Sequence, residues 1–208
     1  MPKVSYSQAE RQQIRQDLIV TGLALMAKQG IQHTTVEQIY KKVGISRSFF
    51  YTFFPTKEDL IVETLYLQQT RILRYARQLM DDPALDWRSA LTRFLHSCCY
   101  GEQHGIAVLT IEQQQLIFRR LTPESYRVFR EKQARLFGQL LDIFGVKPSP
   151  PRISLFTNLC LTVMIVRRAI PESLPLFVPE AADATVAAQI RTIVDCLASL
   201  RDEDACNA

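Results

Sequence analysis

Residues 34 to 60 read TTVEQIYKKVGISRSFFYTFFPTKEDL. Thr34 stands three positions before Glu37 and Thr35 three before Gln38, and either pair has the spacing of a capping box, in which a hydroxyl and a longer polar side chain satisfy the amides at a helix start. A helix is predicted to open here. Val36, Ile39 and Val43 recur at three- and four-residue steps and give it one apolar face, while Lys41 and Lys42 lie near its C-terminus, where the helix dipole favours cations. Gly44 ends it, because a sharp turn after a helix takes a left-handed backbone that glycine adopts without a Cβ penalty. Ile45 then turns inward and Ser46 caps a second helix, predicted from Arg47 to about Phe53, with Arg47, Ser48, Phe49 and Thr52 near its exposed start. Two short helices joined this tightly form a helix-turn-helix, which lays its second helix in the major groove of DNA.

The flanks extend the pattern. Ser7 and Glu10 form another capping box ahead of Ile14, Leu18, Gly22 and Leu25, so a first helix is predicted over 8–29 with a stop at Gly30. After Pro55, Thr56 caps a fourth helix, Glu58 and Asp59 complement its dipole, and it reaches about Met80 before Asp81-Asp82-Pro83.

These residues resemble the TetR family of bacterial one-component transcriptional regulators. The resemblance covers residues 10 to 62 and rests on the first helix ending in Gly30, on Thr34-Thr35-Val36, Ile39, Gly44-Ile45-Ser46, Tyr51 and Phe54, and on Lys57-Glu58-Asp59-Leu60. Two positions depart from the family pattern: Tyr40 stands where a small alanine is usual, and Phe53 where a histidine is common. The resemblance implies that Thr35, Tyr51 and Lys57 contact phosphates, and that Arg47, Ser48, Phe49 and Thr52 read base edges. Arg47 suits a bidentate contact to guanine and Phe49 a thymine methyl; Lys3, Arg11 and Arg15 are candidates for further backbone or minor-groove contacts. Phe50 and Phe54 read as core.

Composition agrees without deciding. The chain has 208 residues, 47% of them hydrophobic, and a formal net charge of +4; residues 1 to 60 carry eight lysines and arginines against five acids, so the polyanion-facing end is the N-terminus. Two modules are expected, a DNA-binding domain over 1–55 and a larger helical ligand-binding and dimerisation domain over 56–208. The N-terminus has no signal-peptide pattern, and the most apolar stretch, 153–170, is interrupted by polar residues, so a cytoplasmic protein without a membrane partner is expected. Five cysteines at spacings unlike a metal site predict free thiols, no metal and no cofactor.

The second module reads as all-α. Helices are predicted from Asp86 to about Glu102, briefly near 106–111, from Thr122-Pro123 to Phe144-Gly145, over 152–169 and over 183–200, with 146–151 as a proline-rich connector and a loop holding Pro171, Pro175 and Pro179 before the last helix. Segment 153–166 is apolar almost all round and 184–197 mixes alanines with aliphatics, so each needs cover on several sides; a homodimer through these last two helices supplies it, and the family resemblance implies the same. Tyr66, His96, Tyr100, Tyr126, Phe129 and Phe156 are candidates to line an apolar pocket with polar tips. No Gly-rich phosphate loop, triad spacing or paired carboxylates point to an enzyme. The expected protein is a homodimeric repressor that leaves a palindromic operator on double-stranded DNA when an unidentified small-molecule effector binds. The alternative is a DNA-binding regulator controlled by a protein partner or by oxidation of Cys98 or Cys99.

Overall fold

A computed structural model of the chain describes residues 6–101, 111–172 and 178–206, and among these every regular element is helical. The helices are α1 (Gln8–Gln29), α2 (Val36–Val43), α3 (Arg47–Phe50), α4 (Lys57–Met80), α5 (Trp87–Cys99), α6 (Ile111–Arg120), α7 (Pro123–Ile143), α8 (Pro150–Glu172) and α9 (Ala182–Cys206), the last entered through a 3-10 turn at Pro179–Ala181. The start signals in the sequence are used as local hydrogen bonds. Ser7, Ser46, Thr56, Asp86 and Thr122 each accept from the backbone amide three residues on, and Glu10 and Asp59 close the reciprocal half of a box.

Between the two threonines that open α2, packing chooses. Thr35 is the cap, its hydroxyl accepting from Gln38 N while Gln38 Oε1 accepts from Thr35 N. Thr34 is fully buried and donates instead to the Gly30 carbonyl at 2.9 Å, which ties the end of α1 to the start of α2. Gly44 sits at φ 81°, ψ 28°, and a Cβ there would meet no described atom within 4 Å, so backbone conformation alone selects glycine.

Among the described residues the helices enclose two cores. The first is built from Leu18, Leu23 and Met26 of α1, Ile39 of α2, Phe50 and Phe54 at α3, and Leu60 and Ile61 of α4. At Gly22 a Cβ would meet Leu60 Cδ2 at 3.2 Å, so α1 and α4 pack closely across a residue without a side chain. The second core collects Leu91 and Phe94 of α5, Leu141 of α7 and Phe144 at its C-cap, Phe156 of α8, and Ile190, Val194 and Leu197 of α9. α4 serves both: Leu60 and Ile61 face the first core, Ala76 and Leu79 the second.

Several predicted bounds shift. α3 is regular only over four residues: the amides of Thr52 and Phe53 bond to carbonyls three residues back, in turns that lead to the buried Phe54. α5 ends at Cys99 rather than near Glu102. α8 begins at Pro150, inside the predicted connector, and runs through Pro171. α9 continues to Cys206, beyond the predicted end at Leu200, because Asp204 accepts from Lys147 N at 2.7 Å and pairs with Arg152, fastening its last turn to the α7–α8 connection and the first turn of α8. The sequence reading has no counterpart to α6, and nearly all of the helix predicted near 106–111 lies outside the described residues. On α1 the buried stripe is Leu18, Ile19, Gly22, Leu23 and Met26, with Ile14 and Leu25 only half-buried. No helix among the described residues is long and apolar enough to cross a membrane.

Leu60→Ala removes a fully buried side chain packed against Gly22 of α1 and is expected to cost about 2–5 kcal/mol, measured as a lower denaturant midpoint for the N-terminal helices.

Candidate nucleic-acid interface and adjoining cavity

α3 is too short to persist by its own backbone hydrogen bonds. It is held from beneath by Phe50 and Phe54, both buried, whose rings lie 5.8 Å apart, and from its start by Ser46, whose Oγ accepts from Phe49 N at 3.2 Å. What it presents outward is polar. Arg47, Ser48, Tyr51 and Thr52 are all exposed, Tyr51 at 40%. Ser48 Oγ lies 3.1 Å from Ser46 Oγ, Thr52 donates to the Phe49 carbonyl at 2.7 Å, and the Arg47 guanidinium sits 5.9 Å from the Tyr51 ring centre. Four of the residues expected at the interface are therefore exposed, on α3 or in the turn that follows it.

Phe49 is placed differently. It is half-buried, stacked on Tyr6 with ring centres 4.8 Å apart and met edge-on by Phe53 at 5.0 Å. Arg11 covers the same cluster, 5.5 Å from Phe49 and 5.0 Å from Phe53. Phe49 thus joins α3 to the segment before α1, and one of its faces is taken. Sequence reasoning misses Tyr6: an aromatic residue just ahead of a helix cap carries no periodic signal, and only the fold brings it across to α3.

The other basic candidates are also engaged. Arg15 pairs with Glu63 at 3.1 Å and lies 5.3 Å from the Phe54 ring, bracing α1 against α4. Lys3 lies outside the described residues. Lys57 is half-buried, its ammonium donating to the Ile31 carbonyl at 2.7 Å, and burial pulls its pKa below that of an ordinary lysine. An ammonium has three protons, so this bond leaves two for another acceptor. Thr35 is exposed with its hydroxyl oxygen occupied by Gln38 N, which leaves the hydroxyl proton to donate. Tyr40, at the position where the family pattern is small, packs half-buried at the edge of the first core, and its carbonyl accepts from Gly44 N and Ile45 N in the turn.

Behind this unit a cavity of about 380 Å³ lies among α4, α5, α6, α7 and α8. Its inner wall is apolar, with Phe94, Leu95, Phe137, Leu140 and Val163 all buried. Gln68, Gln69, Arg130 and Gln133 are its polar lining residues on α4 and α7. Of the six residues expected to line such a pocket, Tyr126 and Phe129 do. Tyr66 lies outside it, its ring 6.3 Å from Phe129 and under the Lys132 ammonium. Phe156 is core, edge-on to Phe137 and Phe144. His96 stacks on Tyr100 beside a shallow surface groove with Arg88 and Arg93, and the Tyr100 hydroxyl donates to Asp183 at 2.6 Å. Four aromatic residues thus fall outside the cavity for one reason: composition marks a residue as suited to a pocket, whereas helix rotation decides which wall it faces. Among the described residues no cluster of histidine, cysteine and carboxylate side chains is arranged to hold a metal ion.

α6 touches both parts. Gln114 and Phe118 line the cavity, while Ile117, on the adjoining flank, is buried in the first core and Leu121 packs against it.

Residues 18–64 match the family model for bacterial regulatory proteins of the TetR family. The chain is 28% identical over 138 residues to the uncharacterized HTH-type transcriptional regulator YuxN of Bacillus subtilis (strain 168), covering 64% of this chain and 46% of that protein. It is 30% identical over 101 residues to the HTH-type transcriptional regulator AcrR of Shigella flexneri, covering 47% of each. The chain spans about half the length of the curated relatives it matches. Its fold is similar to that of a TetR-family transcriptional regulator from Pectobacterium atrosepticum, with a TM-score of 0.59 at 18% identity over 94% of this chain and 97% of the other.

Thr35→Ala is expected to lower the local stability of α2 by about 1 kcal/mol, read as faster hydrogen exchange of the amides from Gln38 to Val43 while those of α8 and α9 are unchanged.

Proposed function

Because this chain belongs to the TetR family of bacterial regulatory proteins, we propose that it is a sequence-specific transcriptional repressor that acts in the cytoplasm as a homodimer and leaves its operator when a small molecule occupies the cavity behind α4. The observation that carries the reading is the outward polar surface of α3, with Arg47, Ser48, Tyr51 and Thr52 exposed above the buried Phe50 and Phe54. A short, rigidly seated helix presenting one arginine and small hydroxyl side chains suits the major groove, where a guanidinium can donate twice to guanine and hydroxyls can both donate and accept. Tyr51, Thr35 and Lys57 would donate to phosphate oxygens, contacts that set register without reading sequence.

Dimerisation is supported by the outer faces of the last two helices. On α8, Leu155, Asn158 and Thr162 are exposed at steps of three and four, Leu155 by 45%, and on α9 Ala184, Ala187 and Ala188 are exposed. Small side chains let helices approach closely, and an exposed leucine among them favours cover by a second copy. Two copies joined there would set two α3 helices on one duplex, about 34 Å apart.

Effector control is supported by which helices share the cavity. α4 contributes Leu65, Gln69 and Ile72 to the cavity and Leu60 and Ile61 to the first core; α6 contributes Phe118 to the one and Ile117 to the other. A ligand that repacks either helix has differential affinity for two settings of the reader, which is all that coupling requires. Control by oxidation of Cys98 or Cys99 is not favoured. Both thiols are buried, and desolvation pushes each pKa up to about 12, so neither is a thiolate near neutrality.

Binding to the DNA upstream of the protein's own gene, followed by mobility shift, tests the reading. Arg47→Ala is expected to relax base preference at one operator position at a cost of about 1–3 kcal/mol, whereas Lys57→Ala is expected to weaken all sequences alike and lower the salt slope by about one. Unchanged preference in the Arg47 variant would remove its reading role. Leu155→Arg is expected to sediment as a monomer and to bind the operator weakly; an unaltered sedimentation coefficient would place the dimer interface elsewhere.

A further inference from the structure

The cavity is polarised from end to end, and its polarity has one sign. α7 runs along it, and its lining positions Tyr126, Phe129, Arg130, Gln133, Phe137 and Leu140 change from exposed and polar at the N-terminal side to buried and apolar at the C-terminal side. The inner end is closed by Phe94, Phe137 and Val163. At the outer end Tyr126 is 46% exposed and Phe118, edge-on to it at 5.8 Å, is also exposed. Among the described residues that line the cavity there is no carboxylate, and Arg130 is the one charged side chain.

Arg130 differs from its neighbour in the same helix. Arg127 is saturated by two acids, Glu124 and Glu131, each at 2.6 Å, and points to solvent. Among the described residues Arg130 donates to the neutral Gln133 Oε1, at 3.0 Å, and to no acid. It therefore stands at the cavity mouth with donors that an incoming anion can take, next to an amide that can donate once the arginine turns to the anion. We propose that the effector is an amphiphile with a carboxylate-like anionic head and an apolar tail, the head held at Arg130 and Gln133 and the tail inserted between Phe94, Phe137 and Val163. A lipophilic cation would lose its hydration with no opposing charge in the described lining and with Arg130 repelling it at the entrance. Cys98 and Cys160 also face the cavity. Burial holds both as neutral thiols, so they form apolar wall and do not act as nucleophiles toward an electrophilic ligand.

This inference rests on the reading of the cavity as the effector site, and the experiment separates the two. Decanoate, decan-1-ol and decyltrimethylammonium, a shared ten-carbon tail of suitable scale for a cavity of about 380 Å³, are titrated below their micellar concentrations into the full chain by calorimetry. Decanoate is expected to bind about tenfold more tightly than decanol, with the cation weakest. Arg130→Gln, at an exposed position where folding is not at risk, is expected to bring decanoate down to the affinity of decanol and leave decanol unchanged. Val163→Phe, or Met164→Trp should the first fail to fold by circular dichroism, is expected to abolish binding of both. Equal affinity for the three heads, or a decanoate preference that survives Arg130→Gln, overturns the anionic class while leaving the cavity an effector site. Absence of binding by any probe, or binding indifferent to the cavity-filling variants, overturns both.

Discussion

The insertion of Phe50 and Phe54 between α1, α2 and α4 is the contact on which the rest depends. A four-residue helix has almost no backbone hydrogen bonding of its own, so α3 exists because two aromatic rings on its inner flank are fully withdrawn from water against Leu18, Ile39 and Leu60. The outward residues gain their orientation from that burial. The contacts of Arg47, Ser48, Tyr51 and Thr52 themselves are short-range, Ser48 with Ser46, Thr52 with the Phe49 carbonyl and Tyr51 with Phe50 and Arg47, so the pedestal beneath them fixes the backbone that carries them.

The reader is fastened at its edges as well as beneath. Tyr6 and Arg11 close over Phe49 and Phe53, Arg15 pairs α1 with α4, and the Lys57 ammonium caps the Ile31 carbonyl in the turn between α1 and α2. The start of α4 is thereby part of the same rigid unit as the helix-turn-helix. Its other half belongs to the second core and lines the cavity, so one continuous helix joins the cavity to the helix-turn-helix. Ile117 adds a second connection, since α6 sends one flank into each part.

The cavity and the proposed dimer face have contrasting chemistry. The described cavity wall mixes aromatic and aliphatic residues with glutamines and a single arginine, a composition that matches the proposed apolar body with a polar head. The outer flanks of α8 and α9 carry small and hydroxyl side chains with an exposed leucine, a surface suited to close helix contact.

By itself the sequence determined what depends on neighbours three or four positions apart: the hydroxyl caps at Ser7, Ser46, Thr56 and Thr122, the positive-φ stops at Gly30 and Gly44, the all-helical character, and the helix-turn-helix with its exposed Arg47, Ser48 and Thr52. Such hydrogen bonds and apolar steps are written directly in residue spacing. Only the tertiary structure decided that Thr35 rather than Thr34 caps α2, that α3 stops at Phe50, that Phe49 lies under Tyr6 and that Lys57 reaches Ile31. It likewise decided that Tyr126 and Phe129 face the cavity while Tyr66, His96, Tyr100 and Phe156 do not. Each of these turns on how a helix is rotated against partners far away in the chain, and that rotation is set by packing many side chains at once, which no local pattern encodes.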